Sequence, residues 1–149
     1  MNIVRNLNNK EHKILLEYLD IQAFLRNEYL FKENEESDRI YFLRNGSVTV
    51  WDEHEQDFYK ESSVSKTRRV TFSAGVVVGQ MAFFENTKHS VEAQADENIS
   101  TYVLTKSNFN KLLEEHPFVA QDLLLEFCKH LSKRLREVTY EVQILERWH

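Results

Sequence analysis

Glycine is scarce in this chain. Three are present among 149 residues, and none opens a Walker loop, a GxGxxG turn or a GxSxG elbow, the backbone-lined motifs that hold phosphates or expose a nucleophile. Their lack leaves enzymatic chemistry without a visible seat, and no enzyme is expected. Cysteine is scarcer still. Cys128 stands alone, which excludes an internal disulfide and any CxxC metal or redox pair. With no charged and apolar leader after Met1, a cytoplasmic location is expected. Long apolar runs are also missing: Val76 to Phe84 falls far short of the ~20 residues a bilayer crossing needs. A soluble protein with no membrane partner is the expectation. Positive charge is in deficit too, the formal net charge being −5, which argues against general affinity for phosphate backbones or anionic lipid.

What is present suits one globular domain. Apolar residues make up 42% and charged residues 29%, inside the range of chains that fold around a single core. Asn8 followed by Glu11 has capping-box spacing, and Ile14, Leu15, Tyr18 and Leu19 behind it share a helical face. A helix over residues 1–20 is expected. Short β-type runs follow at Ile21–Leu25, Tyr29–Phe31, Arg39–Leu43, Ser47–Trp51, Arg69–Phe72, Ser90–Ala95 and Thr101–Leu104. Asn45-Gly46 is a hairpin signal because both residues tolerate positive φ. The polar stretch Asp52–Lys66, with Ser62, Ser63 and Ser65, reads as a loop.

From Thr105 the apolar period becomes helical. Phe109, Leu112 and Leu113 mark a short helix ending near His116, and Pro117 is placed to open another. In that last helix Gln121, Cys128, Leu135 and Val142 recur every seven residues, as do Leu124, Leu131, Val138 and Leu145 three positions later. This is an a/d seam. About 30 residues of helix span ~45 Å, more than a small β body covers. The first two turns are expected to pack on that body, with Cys128 as a core thiol. The distal half is expected to pair with a second copy in a parallel homodimer. Lys129, Lys133, Arg134 and Arg136 give the helix a basic side, but Glu126, Glu137 and Glu141 interleave with them, as on a solvated face. A nucleic-acid adaptor rests on that basic side alone. His12, His54, His89, His116, His130 and His149 fall in no metal-ligand spacing, so surface or terminal positions are expected and no metal.

Two stretches give the chain its resemblance to a family. Tyr29 to Val50, reading YLFKENEESDRIYFLRNGSVTV, resembles the early strand, turn and hairpin of cyclic nucleotide-binding domains. Asn27 and Asn34 stand where that family has glycines, and asparagine is the side chain that best accepts left-handed backbone. Ala74 to Phe84, with Lys88-His89-Ser90-Val91 after it, is similar to the family's phosphate-binding cassette. The resemblance implies an α+β fold: an antiparallel jelly-roll barrel (a double-stranded β-helix) over residues 21–104, a cassette helix near 80–84, and two C-terminal helices over 105–149, the last of them long. Residues 1–149 then form a single domain. Phe83 and Phe84 stand at aliphatic positions of the family and are expected to fill the barrel. In related transcription regulators a helix-turn-helix follows the long helix. The sequence given ends at His149, so no DNA-reading segment of that kind is expected.

The resemblance also implies a ligand site at Val78, Gly79, Gln80, Met81, Ala82, Lys88, His89, Ser90 and Val91. In the family a glycine lets the ligand approach the backbone, helix-start amides face the cyclic phosphate, an acid accepts the ribose hydroxyl and an arginine pairs with the phosphate. This chain departs at both polar anchors, with Gln80 for the acid and His89 for the arginine. A neutral acceptor bonds more weakly than a charged one, and imidazole offers no two-pronged contact. Losing a charged contact of ~1.5 to 3 kcal/mol weakens binding by about one to two orders of magnitude. Lys88 is a neighbouring source of charge, and protonated His89 would strengthen anion binding as pH falls. The expected function is a regulatory sensor for cAMP, cGMP or a related phosphate-containing ligand, bound weakly or with altered specificity. It would act on a downstream protein that the sequence does not identify, with no cofactor. The alternative is a ligand-free dimerisation or docking domain of the same fold, with a seam of Leu124, Cys128, Leu131, Leu135, Val138, Val142 and Leu145.

Overall fold

The first helix begins where the capping box sits. In the computed structural model, which describes residues 6–52 and 68–147, α1 covers Asn9–Glu17. The Glu11 amide donates to Asn8 Oδ1 at 2.8 Å, and the Asn8 amide donates to Glu11 Oε1 at 3.2 Å. Two amides that the helix leaves open are thereby paired. Among the described residues eight strands follow: β1 (Asp20–Phe24), β2 (Tyr29–Phe31), β3 (Arg39–Leu43), β4 (Ser47–Asp52), β5 (Arg68–Ser73), β6 (Val77–Val78), β7 (Glu92–Ala95) and β8 (Ile99–Thr105). Helix α2 (Gln80–Glu85) lies between β6 and β7, and α3 (Lys106–Glu115) and α4 (Pro117–Arg147) close the chain. The expected loop over Asp52–Lys66 lies outside the described residues after Asp52.

The strands form two open antiparallel sheets, ordered β1-β8-β3-β6 and β2-β7-β4-β5. The expected antiparallel jelly-roll barrel is realised in its double-sheet, antiparallel character, but the described pairing is that of a sandwich whose sheets keep separate edges. One apolar cluster joins them, drawing Phe24, Tyr41, Leu43, Val78, Ile99 and Val103 from the first sheet and Leu30, Phe31, Val48, Ala93 and Ala95 from the second. A second cluster lies on the other face of the first sheet. There Ile40, Phe42, Val77 and Leu104 meet Leu15 of α1, Phe83 of α2, Leu112 of α3, and Val119, Ala120, Leu123 and Phe127 of α4. The molecule therefore has three layers, with the β1-β8-β3-β6 sheet in the middle. Successive β3 residues point to opposite faces, so Ile40 and Phe42 serve the helices while Tyr41 and Leu43 serve the sandwich.

Asn45-Gly46 does not close a hairpin. β3 pairs with β6 and β8, whereas β4 pairs with β5 and β7, so this turn carries the chain from one sheet to the other. Only Gly46 takes positive φ, +73°. Asn45 instead uses its side chain, whose Oδ1 accepts from the Ser100 amide at 3.0 Å. Asn27 and Asn34 adopt φ of +72° and +68°, the left-handed turns expected of them.

α3 packs through Leu112 and Phe109 as expected, whereas α4 departs from expectation in which face packs. α4 buries Val119, Ala120, Leu123 and Phe127, a stripe of helical period beside the heptad seam. Cys128, one residue past Phe127 and so about 100° round the helix, is exposed and is no core thiol. Leu124 is half-buried, and Leu131, Leu135, Val138, Val142 and Leu145 are exposed. The first turns of α4 do pack on the β body, but not through the seam. On the basic side, the Arg134 guanidinium lies 4.7 Å from the Phe72 ring centroid, and Lys129 pairs with the buried Glu126 at 3.3 Å. Glu126 also accepts from Asn6 Nδ2 at 3.2 Å. No helix among the described residues is long and apolar enough to cross a membrane.

Candidate functional site

The cassette is built by a strand that stops abruptly. β6 is two residues long, its Val77 turned to the helices and Val78 to the sandwich, and Gly79 at φ +90° then reverses the backbone into α2. That conformation is strained for any residue with a Cβ. A Cβ placed on Gly79 would lie 3.4 Å from Phe31 Cε1, 3.6 Å from His89 Cε1 and 3.7 Å from the Arg39 carbonyl oxygen. Asn86, at φ +56°, ends α2, and its amide donates to the Ala82 carbonyl. Ala82 is buried, Gln80 is half-buried and Met81 is exposed.

His89 closes the other side of the cradle. Its amide donates to the Glu35 carbonyl at 2.9 Å, its carbonyl accepts from the Asn34 amide at 2.8 Å, and Glu36 and Lys88 form an antiparallel bridge beside it. The left-handed Asn34 thus ties the early turn to the cassette. The His89 ring lies flat on Phe31, centroids 3.7 Å apart and planes 8° apart, and the residue is only 5% exposed. A surface position was expected for every histidine; the stack on Phe31 is why this one is buried. Burial pushes the imidazole below its ordinary value, and the Glu35 and Asp38 carboxylates oppose that push without cancelling it. The ring is therefore neutral at pH 7.

Of the residues expected at the site, Gly79 and His89 meet directly. Val78 lies in the sandwich core and Val91 packs against it, whereas Met81, Lys88 and Ser90 face outward. Sequence reasoning placed Phe31 in a strand but missed its role as the floor of the cradle. It also missed Ser37, which is buried at the bridge with its Oγ unpartnered among the described residues. Tyr29-Leu30-Phe31 was legible as a strand, but nothing local signalled which ring would lie against Phe31. Phe83 and Phe84 do not fill the sandwich. They face the helix layer, where Phe84 meets Phe83, Phe109 and Phe127 edge-on at 5.1, 6.0 and 5.4 Å, and Phe127 reaches Phe42 at 6.1 Å. α2 is thereby joined ring by ring to α3 and α4. Among the described residues, no three His, Cys, Asp or Glu side chains gather as a metal site.

A double-sheet body, a glycine-led helix after its short sixth strand and a covering helix layer define a helix-covered β-sandwich domain. A family model described as the cyclic nucleotide-binding domain matches residues 21–116, and the chain belongs to that family. It is 24% identical over 135 residues to the potassium/sodium hyperpolarization-activated cyclic nucleotide-gated channel 2 of Mus musculus, covering 86% of this chain and 14% of the channel. It is 24% identical over 125 residues to glutaminase 1 of Bradyrhizobium diazoefficiens, covering 84% of this chain and 18% of that enzyme. The chain thus spans less than a fifth of these curated relatives. Among solved structures, a cyclic nucleotide-binding domain from Methylobacillus flagellatus superposes with a TM-score of 0.78 at 21% identity, over 88% of this chain and 70% of that one. The catabolite activator protein of Thermus thermophilus gives 0.76 at 20%, over 98% and 63%. These likenesses establish the fold.

Proposed function

We propose that this domain is a regulatory small-molecule sensor and not an enzyme. It takes cAMP, cGMP or a related ligand at the Gly79 cradle, weakly or with altered specificity, and passes occupancy to α4. The observation that carries this reading is the ring contact from α2 to α4 through Phe83, Phe84, Phe109 and Phe127. A ligand that shifts α2 must repack those rings, and a packed aromatic cluster has discrete arrangements. α4 pairs along Leu131, Leu135, Val138, Val142 and Leu145 with a second copy in a parallel homodimer, and the signal goes on to a partner protein. The Glu126 and Phe72 contacts of Lys129 and Arg134 give part of the basic side structural work, which speaks against a nucleic-acid adaptor.

A ligand-free docking module is the second reading. The His89–Phe31 stack favours it, because those rings already lie against Gly79. The sole cysteine decides between them. With an environment-sensitive fluorophore on exposed Cys128, titration by cyclic nucleotides and by their parent nucleosides is expected to give a saturable change for at least one compound. Phe84→Ala is expected to abolish that change while leaving calorimetric binding within about threefold. Neither heat nor fluorescence from any compound would establish the docking module instead.

A further inference from the structure

The polar groups at the cradle are few and mostly committed. Ser37 is 8% exposed, and its hydroxyl has no hydrogen-bond partner among the described residues. The His89 backbone is bonded at both ends, and one face of its ring is covered by Phe31. Its ring nitrogens have no hydrogen-bond partner among the described residues. Each of the two residues directly follows a member of the Glu36 and Lys88 bridge. Bridge residues and their chain neighbours alternate in facing, so exposed Glu36 and Lys88 put buried Ser37 and His89 on the same inner face, diagonal to one another across the bridge, with His89 directly opposite Glu35. Buried polar groups are normally satisfied, and one sealed, unsatisfied hydroxyl on the same face as a ring whose nitrogens bond no protein group among the described residues, at a glycine cradle, indicates what completes them.

Charge restricts the partner. Glu35 and Asp38 are the carboxylates that act on His89. Arg39, the nearest guanidinium along the chain, is held by Asp38 through two contacts of 2.9 and 3.2 Å, and Lys88 points outward. An anion here would meet the Glu35 carboxylate, an Asp38–Arg39 pair whose charges offset one another, and a buried ring with a single donor. A group carrying both a donor and an acceptor would satisfy the hydroxyl and the ring together.

We propose that the part of the ligand seated against Ser37 and His89 is uncharged, a sugar hydroxyl or an amide-like base edge and not a phosphate. The chain would then discriminate nucleosides from cyclic nucleotides in favour of the nucleoside. This rests on the sensor reading above, and calorimetry separates the two. Adenosine, guanosine, cAMP and cGMP are titrated into the full chain at pH 7.5. At least one nucleoside is expected to bind about tenfold or more tightly than its own cyclic nucleotide. Ser37→Ala, which deletes only a hydroxyl, is expected to weaken that nucleoside by about 3- to 10-fold. A cyclic nucleotide that binds more tightly than its nucleoside would overturn the inference and leave the sensor reading standing. So would a Ser37→Ala chain that binds the nucleoside as the parent does. No binding by any of the four up to about 1 mM would remove both.

Discussion

At the scale of single residues, the chain shows how far a side chain's role depends on what lies across from it. Asn27 and Asn34 were legible because their left-handed turns are local: asparagine tolerates that backbone whatever surrounds it. His89 was not. Its place in the cassette pattern suggested a phosphate partner, but its burial comes from Phe31, a residue distant in sequence. Because burial lowers the folded-state pKa of His89, the unfolded chain binds the proton more readily. The stabilising effect of the neutral ring is whole above about pH 6.5 and is lost as pH falls from there toward the folded value. His89→Phe keeps a ring on Phe31 but removes the titration. Its urea midpoint is therefore expected to drop less between pH 7.5 and 5.5 than that of the parent. His130, whose pKa is also lowered, titrates in both proteins, so the comparison isolates His89. Equal drops would assign the pH dependence elsewhere.

At the scale of elements, period was read well and partners were read poorly. The capping box of α1, the short α3 and the 31 residues of α4 follow from spacing alone. Which stripe of α4 meets the sheet does not, since two adjacent stripes are apolar and only the tertiary contacts select Val119, Ala120, Leu123 and Phe127. The same limit explains Asn45-Gly46: the turn chemistry was visible, but a turn that joins two sheets uses residues similar to one that joins two paired strands. The unburied seam yields a prediction at this scale. Leu135 is 67% exposed, so Leu135→Asp removes nothing from the monomer core. Sedimentation equilibrium is expected to show a dimer for the parent and a monomer for the variant, with both melting curves cooperative. Identical masses would dismiss the seam as a self-pairing surface.

At the scale of the whole molecule, the middle sheet supports everything else. Its outer face carries four helices and its inner face closes the sandwich, so β3 and β8 open only when both cores open. Their amides are expected to exchange with solvent at the global unfolding rate. Amides of α4 beyond Leu131, which rest on no buried residue of the β body, are expected to exchange faster in dilute solution than at high protein concentration. Hydrogen exchange followed by mass spectrometry at two concentrations measures both. Fast exchange in β3 would mean that the layers part independently.

A strand buried on both faces has lost the usual guide to its own alignment. Slipping β3 by one position would exchange Ile40 and Phe42 for Tyr41 and Leu43, and every one of them is apolar enough for either side. The choice between those alignments falls to a few polar or crowded points. The Tyr41 hydroxyl donates to the Leu30 carbonyl at 3.2 Å, the Arg44 guanidinium donates to Ser100 Oγ on β8 at 3.1 Å, and Gly46 sits so close to Ile99 that a Cβ there would come within 2.6 Å of its Cγ2. For this strand hydrophobicity supplies the stability, and these three contacts carry the information that makes the native pairing unique.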